Sequence, residues 1–207
     1  MKLIDGLKTR RSIRKYKNKE VEDDKIKNIL QLAIMAPSAH NSNPWYFLIV
    51  KDKIIKKELA IKMANKYKND LKKDGYKTEQ IQKIINKSII TFSTAPVLIV
   101  PCLDMKRMEK YPDEKRQIIE HQMGVQSVSA AIQNMLLATH NEGLGACWYC
   151  APLFAQEIVK KVLNIPEDIE PQAFITIGYT LTENIPSPPP RLKLNDICFL
   201  NKWGEKF

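Results

Sequence analysis

Within six residues near the start of the chain, Thr9-Arg10-Arg11-Ser12-Ile13-Arg14 gathers three guanidiniums and two hydroxyls. Guanidinium forks match the oxygens of a phosphate, and hydroxyls can complete its shell. A basic segment pairing with surface carboxylates would use the same residues, so the run alone points to an anion without naming one. The residues around it narrow how such an anion could be held. The chain has only seven glycines and contains neither G-x-G-x-x-G nor G-x-x-x-x-G-K-[ST]. Any phosphate must therefore be gripped by side chains or by ordinary backbone. A second polar group, Ala36-Pro37-Ser38-Ala39-His40-Asn41-Ser42-Asn43-Pro44-Trp45, is a loop pinned by two prolines. Its Ser and Asn side chains could simply satisfy their own backbone, while His40 could line a ligand.

Cys147-Trp148-Tyr149-Cys150, with His140-Asn141-Glu142 upstream, imitates the H-x-E … C-x-x-C pattern of zinc deaminases. Only four residues separate Glu142 from Cys147, no proline precedes Cys147, and His140 falls in the last turn of a predicted helix. Buried structural cysteines are the expectation and no metal is assigned; a zinc hydrolase using His140, Cys147 and Cys150 is the rival. His121 reads as an ordinary helix residue.

These groups need a scaffold, and the composition supplies one. The chain has 207 residues, 44% hydrophobic and 27% charged, with 33 Lys and Arg against 23 Asp and Glu. That is enough apolar material for a core and excludes a disordered or collagen-like chain. One domain over 1–207 is expected. The absence of a long apolar run and of an apolar leader predicts a cytoplasmic protein without a membrane span, and four cysteines are too few for a disulfide framework. Six of the ten net positive charges fall within 51–77, where ten Lys meet four acids. An acidic substrate could meet this segment, but sparse aromatics, almost no Arg and no recognition motif argue against nucleic acid.

Apolar spacing predicts the elements. Ile26, Ile29, Leu30, Ala33 and Ile34 mark a helix that Pro37 stops. Residues 45–50 read as a buried strand, 52–73 as a Lys-rich helix ending at Gly75, and Ile81, Ile84, Ile85 and Ile89 mark another helix. A strand over 96–101 would carry a proline at each end, where neither costs a ladder bond. The longest helix, 113–142, has small residues nearly all round over 124–132, predicting burial on several sides and close approach to its neighbours. A strand over 146–149, a helix over 154–163 and a strand over 173–177 complete an α+β unit. Residues 184–191, with Pro186, Pro188, Pro189 and Pro190, predict an extended arm. The apolar residues beyond it need something to lie against, and a second subunit is a candidate.

The Arg-rich run and the loop 23 residues further on together resemble the nitroreductase-like FMN-dependent oxidoreductases, whose R-x-S-x-R/K segment precedes a P-S-x-x-N-x-Q-P-W loop. The loop here departs from that pattern at Asn43, where Gln is usual. Glu142-Gly143-Leu144-Gly145-Ala146-Cys147-Trp148, Gly178-Tyr179 and Arg191 match further on, in order along the whole chain. Residues 70–75 and Glu170-Pro171 look more like the branch related to the reductase domain of deazaflavin-coenzyme biosynthesis. The resemblance implies a mostly antiparallel central sheet flanked by helices, a C-terminal arm, and a homodimer with two FMN sites at its interface. Carried over, Arg10, Arg11, Ser12, Ile13 and Arg14 would hold the phosphate, the ribityl chain and one ring edge. Pro37, Ser38 and Ala39 would come from the other subunit, Cys150 and Ala151 would present backbone to the ring, and Arg191 would close on the phosphate. Ser38 and His40 would face the substrate. No side chain is assigned as catalytic acid or base. The activity implied is ping-pong hydride passage from NAD(P)H to a nitroaromatic, quinone or conjugated ring, or reduction of a deazaflavin precursor.

Overall fold

The computed structural model describes residues 2–181 and 187–207. Its centre is an antiparallel sheet in the order β1-β2-β5-β3, with the short β4 continuing the β5 side of β2. The strands are β1 (Trp45–Val50), β2 (Val97–Asp104), β3 (Gly145–Tyr149), β4 (Ile169–Pro171) and β5 (Phe174–Gly178). The helices are α1 (Leu3–Thr9), α2 (Asp23–Ala33), α3 (Lys53–Lys73), α4 (Thr78–Ser93), α5 (Glu114–Asn141), α6 (Gln156–Leu163) and α7 (Leu194–Ile197).

Alternation along β2 divides the core into two layers. Val97, Ile99 and Leu103 join α2 (Ile26, Ile29) and α5 (Val128, Ile132, Met135) on one face. Leu98, Val100 and Cys102 join Leu59 and Met63 of α3, Phe92 of α4 and Val159 of α6 on the other. Each such side chain, fully buried, contributes about 1.5–3 kcal/mol. The expected close approach of α5 is present: a β-carbon on Gly124 would stand 3.0 Å from Leu103 Cδ1. From Gly124 to Ile132 only Gln126 is exposed.

Three expectations need correction. Residues 45–50 are a strand but not a buried one, because β1 is the sheet's edge and leaves Tyr46 and Ile49 exposed. Pro101 lies inside β2 rather than at its end. In a strand the N and O of one residue point the same way, and the Pro101 carbonyl accepts from Gln172 N–H. The missing donor therefore faces the break between β4 and β5, where no ladder partner is lost. The helix expected from 154 starts at Gln156, after a 3₁₀ turn Ala151–Phe154. The edge strand β4 and the helix α1 were not anticipated.

Of the proline arm, 182–186 lies outside the described residues, while 187–193 is exposed and without regular structure. Beyond α7 the chain turns back on itself, with Leu200 N–H donating to Glu205 O and the Phe199 and Trp203 rings 4.6 Å apart. Leu192 and Trp203 stay 73% and 90% exposed. Among the described residues no helix is long and apolar enough to cross a membrane.

Candidate cofactor site

The basic run is placed by the two ends of its own segment. Arg10 ends α1, its N–H donating to Gly6 O. Arg11 Nη1 donates to Lys8 O (2.8 Å) and Arg10 O (2.7 Å), so this guanidinium caps the helix's carbonyls. The chain then runs along the free edge of β3. Ser12 bridges Ala146, and Ile13 N–H donates to Ala146 O at 2.8 Å. Further on, Lys17 N–H donates to Tyr179 O and Leu181 N–H to Lys15 O. The Tyr16 hydroxyl lies 2.5 Å from Ile13 O and 2.7 Å from Thr176 Oγ1, and burial pushes its pKa up. The two sequence motifs at 9–14 and 142–148 thus meet in space.

Thr9, Arg10, Arg11, His140, Leu136 and Ala146 are among the residues enclosing a cavity of about 40 Å³. His140 Nε2 lies 2.8 Å from Thr9 Oγ1. Burial, then the Arg10 and Arg11 guanidiniums, hold its pKa below the ordinary value. Arg14 reaches back to Ser12 O at 3.4 Å and is otherwise exposed.

Two buried polar atoms on β3, Trp148 Nε1 and Tyr149 Oη, have no hydrogen-bond partner among the described residues. Burial pushes the Tyr149 phenol up, with the Cys147 thiol adding to it and Arg14 opposing. Thiol and guanidinium lie near that hydroxyl without reaching hydrogen-bonding geometry. Cys147 is buried as expected, but Cys150 is exposed, because the chain leaves the sheet there and enters the 3₁₀ turn.

The 37–44 loop rests on the middle and the N-terminal half of α5. Ala39 N–H donates to Ser127 Oγ, and Asn43 N–H to Ser38 Oγ, both at 3.0 Å. His40, Asn41 and Asn43 carry positive φ (54°, 53° and 49°). Asn43, in place of the usual Gln, folds back to donate to Asn41 O at 2.7 Å. His40 Nε2 stands 3.4 Å from Oε1 of Glu120, a carboxylate 1% exposed that also accepts Glu109 N–H. Glu120 gave no sign of this role in the sequence, where it is one acid among many.

Ser127 and His140 are about 20 Å apart along α5 at about 1.5 Å per residue. One chain therefore keeps its Arg-rich run and its Pro37–Ala39 loop well apart. Arg191 is exposed, with Nη1 3.3 Å from Pro190 O. The rival metal set does not assemble: among the described residues no group of three His, Cys, Asp or Glu could hold an ion, and His140 is engaged by Thr9. His121 is not idle; its Nε2 lies 2.8 Å from Glu170 Oε2. A larger cavity, about 650 Å³, opens elsewhere between β1, β2 and 163–169, and none of the expected site residues line it.

The nitroreductase family model matches residues 7–179. A Methanothermobacter thermautotrophicus protein provisionally named NADH dehydrogenase/NAD(P)H nitroreductase is 33% identical over 183 residues, 86% of this chain and 78% of that protein. Among solved structures, an FMN-dependent nitroreductase from Clostridium difficile aligns with TM-score 0.70 and 25% identity, covering 97% of this chain and 100% of its own. A BluB-like flavoprotein from the same species aligns at TM-score 0.76 and 25% identity, covering 98% and 100%. The chain belongs to the nitroreductase family.

Proposed function

We propose that the chain is an FMN-dependent oxidoreductase that works as a homodimer and takes its electrons from NAD(P)H. The observation that carries this reading is a juxtaposition on β3: the backbone of the 10–14 run pairs with the strand at Ala146, Arg14 bears on Tyr149, and the neighbouring Trp148 indole N–H has no partner among the described residues. A buried donor with no acceptor among the described residues is costly, and a ligand rich in acceptor atoms, with a phosphate for the guanidiniums, suits that edge. The residues present therefore fit FMN.

Arg10, Arg14 and Arg191 would meet the phosphate, and Ser12 and Ile13 the ribityl chain and ring edge. Arg11, engaged with the carbonyls of α1, contributes mainly charge and shape. Cys150 and Ala151 would present backbone to the ring. Pro37, Ser38 and Ala39 would come from the second copy, since the same loop of one chain is held at Ser127, about 20 Å along α5 from His140. His40, half-exposed beside Glu120, would face the substrate together with Ser38. The exposed Leu3, Ile4 and Leu7 of α1 and the apolar arm supply surface for the second copy to cover. Bound FMN supplies hydride acceptance from the nicotinamide and its delivery to an electron-poor acceptor such as a nitroaromatic or quinone. The guanidiniums lower the cost of negative charge at the site.

The test is NAD(P)H oxidation by FMN-loaded protein with nitroaromatic and quinone acceptors. Turnover with a parallel-line kinetic pattern is expected. Protein that holds FMN yet oxidises no NAD(P)H with any acceptor would be a flavin-binding protein and not this enzyme.

A further inference from the structure

Thr9 and His140 meet at 2.8 Å from opposite parts of the chain. The Thr9 hydroxyl donates its single proton to Asp5 O at 2.6 Å, a carbonyl that can only accept. Thr9 Oγ1 must then accept from the imidazole, which places a hydrogen on His140 Nε2.

What this bond holds is weak on its own. α1 has seven residues, shorter than a helix that is stable by itself, and it leaves Leu3, Ile4 and Leu7 exposed. Its far end depends on a few anchors: buried Gly6, the Arg11 cap and the Thr9–His140 bond. The other partner is firmly placed. His140 lies in the last turn of the 28-residue α5, which is closed by Glu142 N–H to Ala138 O, Gly143 N–H to His140 O and Leu144 N–H to Thr139 O.

We infer that His140 is a positioning residue for the anion grip: through Thr9 it fixes the last turn of α1, and so the direction in which Arg10 and Arg11 leave it. Arg10 follows Thr9 directly, and all four residues wall the same small cavity. His140 itself need not touch the ligand. The inference rests on the flavin reading for its purpose, though the lock can be read without flavin.

The test compares wild type with His140→Leu, His140→Gln and Thr9→Val for FMN affinity by flavin fluorescence, and for amide hydrogen exchange over residues 6–13 in flavin-free protein. Loss of one hydrogen bond predicts FMN binding about five- to tenfold weaker in His140→Leu, and at least as weak in Thr9→Val, which also loses the bond to Asp5 O. The double variant should be no worse than Thr9→Val alone, and His140→Gln, which keeps a donor, should stay within about twofold of wild type. Exchange over 6–13 should quicken in His140→Leu and not in His140→Gln. Wild-type affinity in both His140→Leu and Thr9→Val, or unchanged exchange in His140→Leu, would overturn the inference. Wild-type protein that binds no FMN would defeat the flavin reading instead, and the exchange comparison would still decide the lock.

Discussion

A β-carbon placed on Gly145 would stand 2.7 Å from the Ile13 side chain, closer than such atoms approach. The first strand-forming residue after α5 and the middle of the arginine-rich run are therefore packed backbone to side chain. Only glycine leaves room for the run to lie on β3. Gly145→Ala should push Ile13 away and destabilise the fold by about 1–3 kcal/mol, the usual cost of overpacking. FMN retention should fall with it. Chemical denaturation checks the first effect. In an Ile13→Gly background, which removes the Ile13 β-carbon as well as both γ-carbons, Gly145→Ala should cost less than in the native chain; an equal cost would mean that Ile13 is not the clash.

Arg10→Ala and Arg191→Ala should each weaken FMN binding about tenfold or more, the scale of one hydrogen bond to a charged group. Riboflavin, which lacks the phosphate, should bind both variants and wild type alike. A titration with the two flavins separates loss of the phosphate grip from general damage.

Lys56 is 2% exposed, and its ammonium donates to Ala95 O (2.5 Å) and Pro96 O (3.0 Å), tying the first turn of α3 to the entry of β2. Burial lowers its pKa. Lys56→Ala would leave a cavity and two unpaired carbonyls, costing about 2–4 kcal/mol. A lower urea midpoint with an unchanged slope is the expected result.

His140 titrates below its ordinary 6.5 in the folded chain. As pH falls, the unfolded chain takes up this proton first, so stability is lost from about 6.5 down to the folded pKa and then levels. His140→Gln cannot titrate. The difference in unfolding free energy between wild type and His140→Gln should therefore shift against wild type on acidification across that window; a difference that stays flat there contradicts the assignment.

Cys102 is buried, and that burial pushes its thiol up to about 12, whereas Cys150 is exposed. A thiol reagent at mildly alkaline pH should modify Cys150 in folded protein and reach Cys102 only after unfolding. Mass mapping of the labelled peptides reads the order.

Elements that announce themselves by local periodicity were legible. The stripe of Ile26, Ile29 and Ala33, the Lys-rich helix ahead of Gly75 and the small-residue centre of α5 all lie where their spacing put them. What escaped was set by distant partners. Pro101 sits within a strand only because the neighbouring chain breaks at Gln172. Residues 45–50 are apolar enough for a central strand yet take the edge. Cys150 is exposed because the sheet ends one residue before it. The candidate site divides the same way: the residue types of 9–14 and 37–40 pointed to an anion and a polar loop, but nothing local said that Arg11 would turn back on its own helix. Nothing local paired Thr9 with His140 or His40 with Glu120 either. Those pairings exist only because α5 runs beneath both segments.

The most direct measurement is the visible absorbance spectrum of the purified protein, followed by mass identification of what heating releases. A yellow protein releasing one FMN per chain is the expected result. A colourless protein that also ignores added FMN would contradict the proposed function at its root.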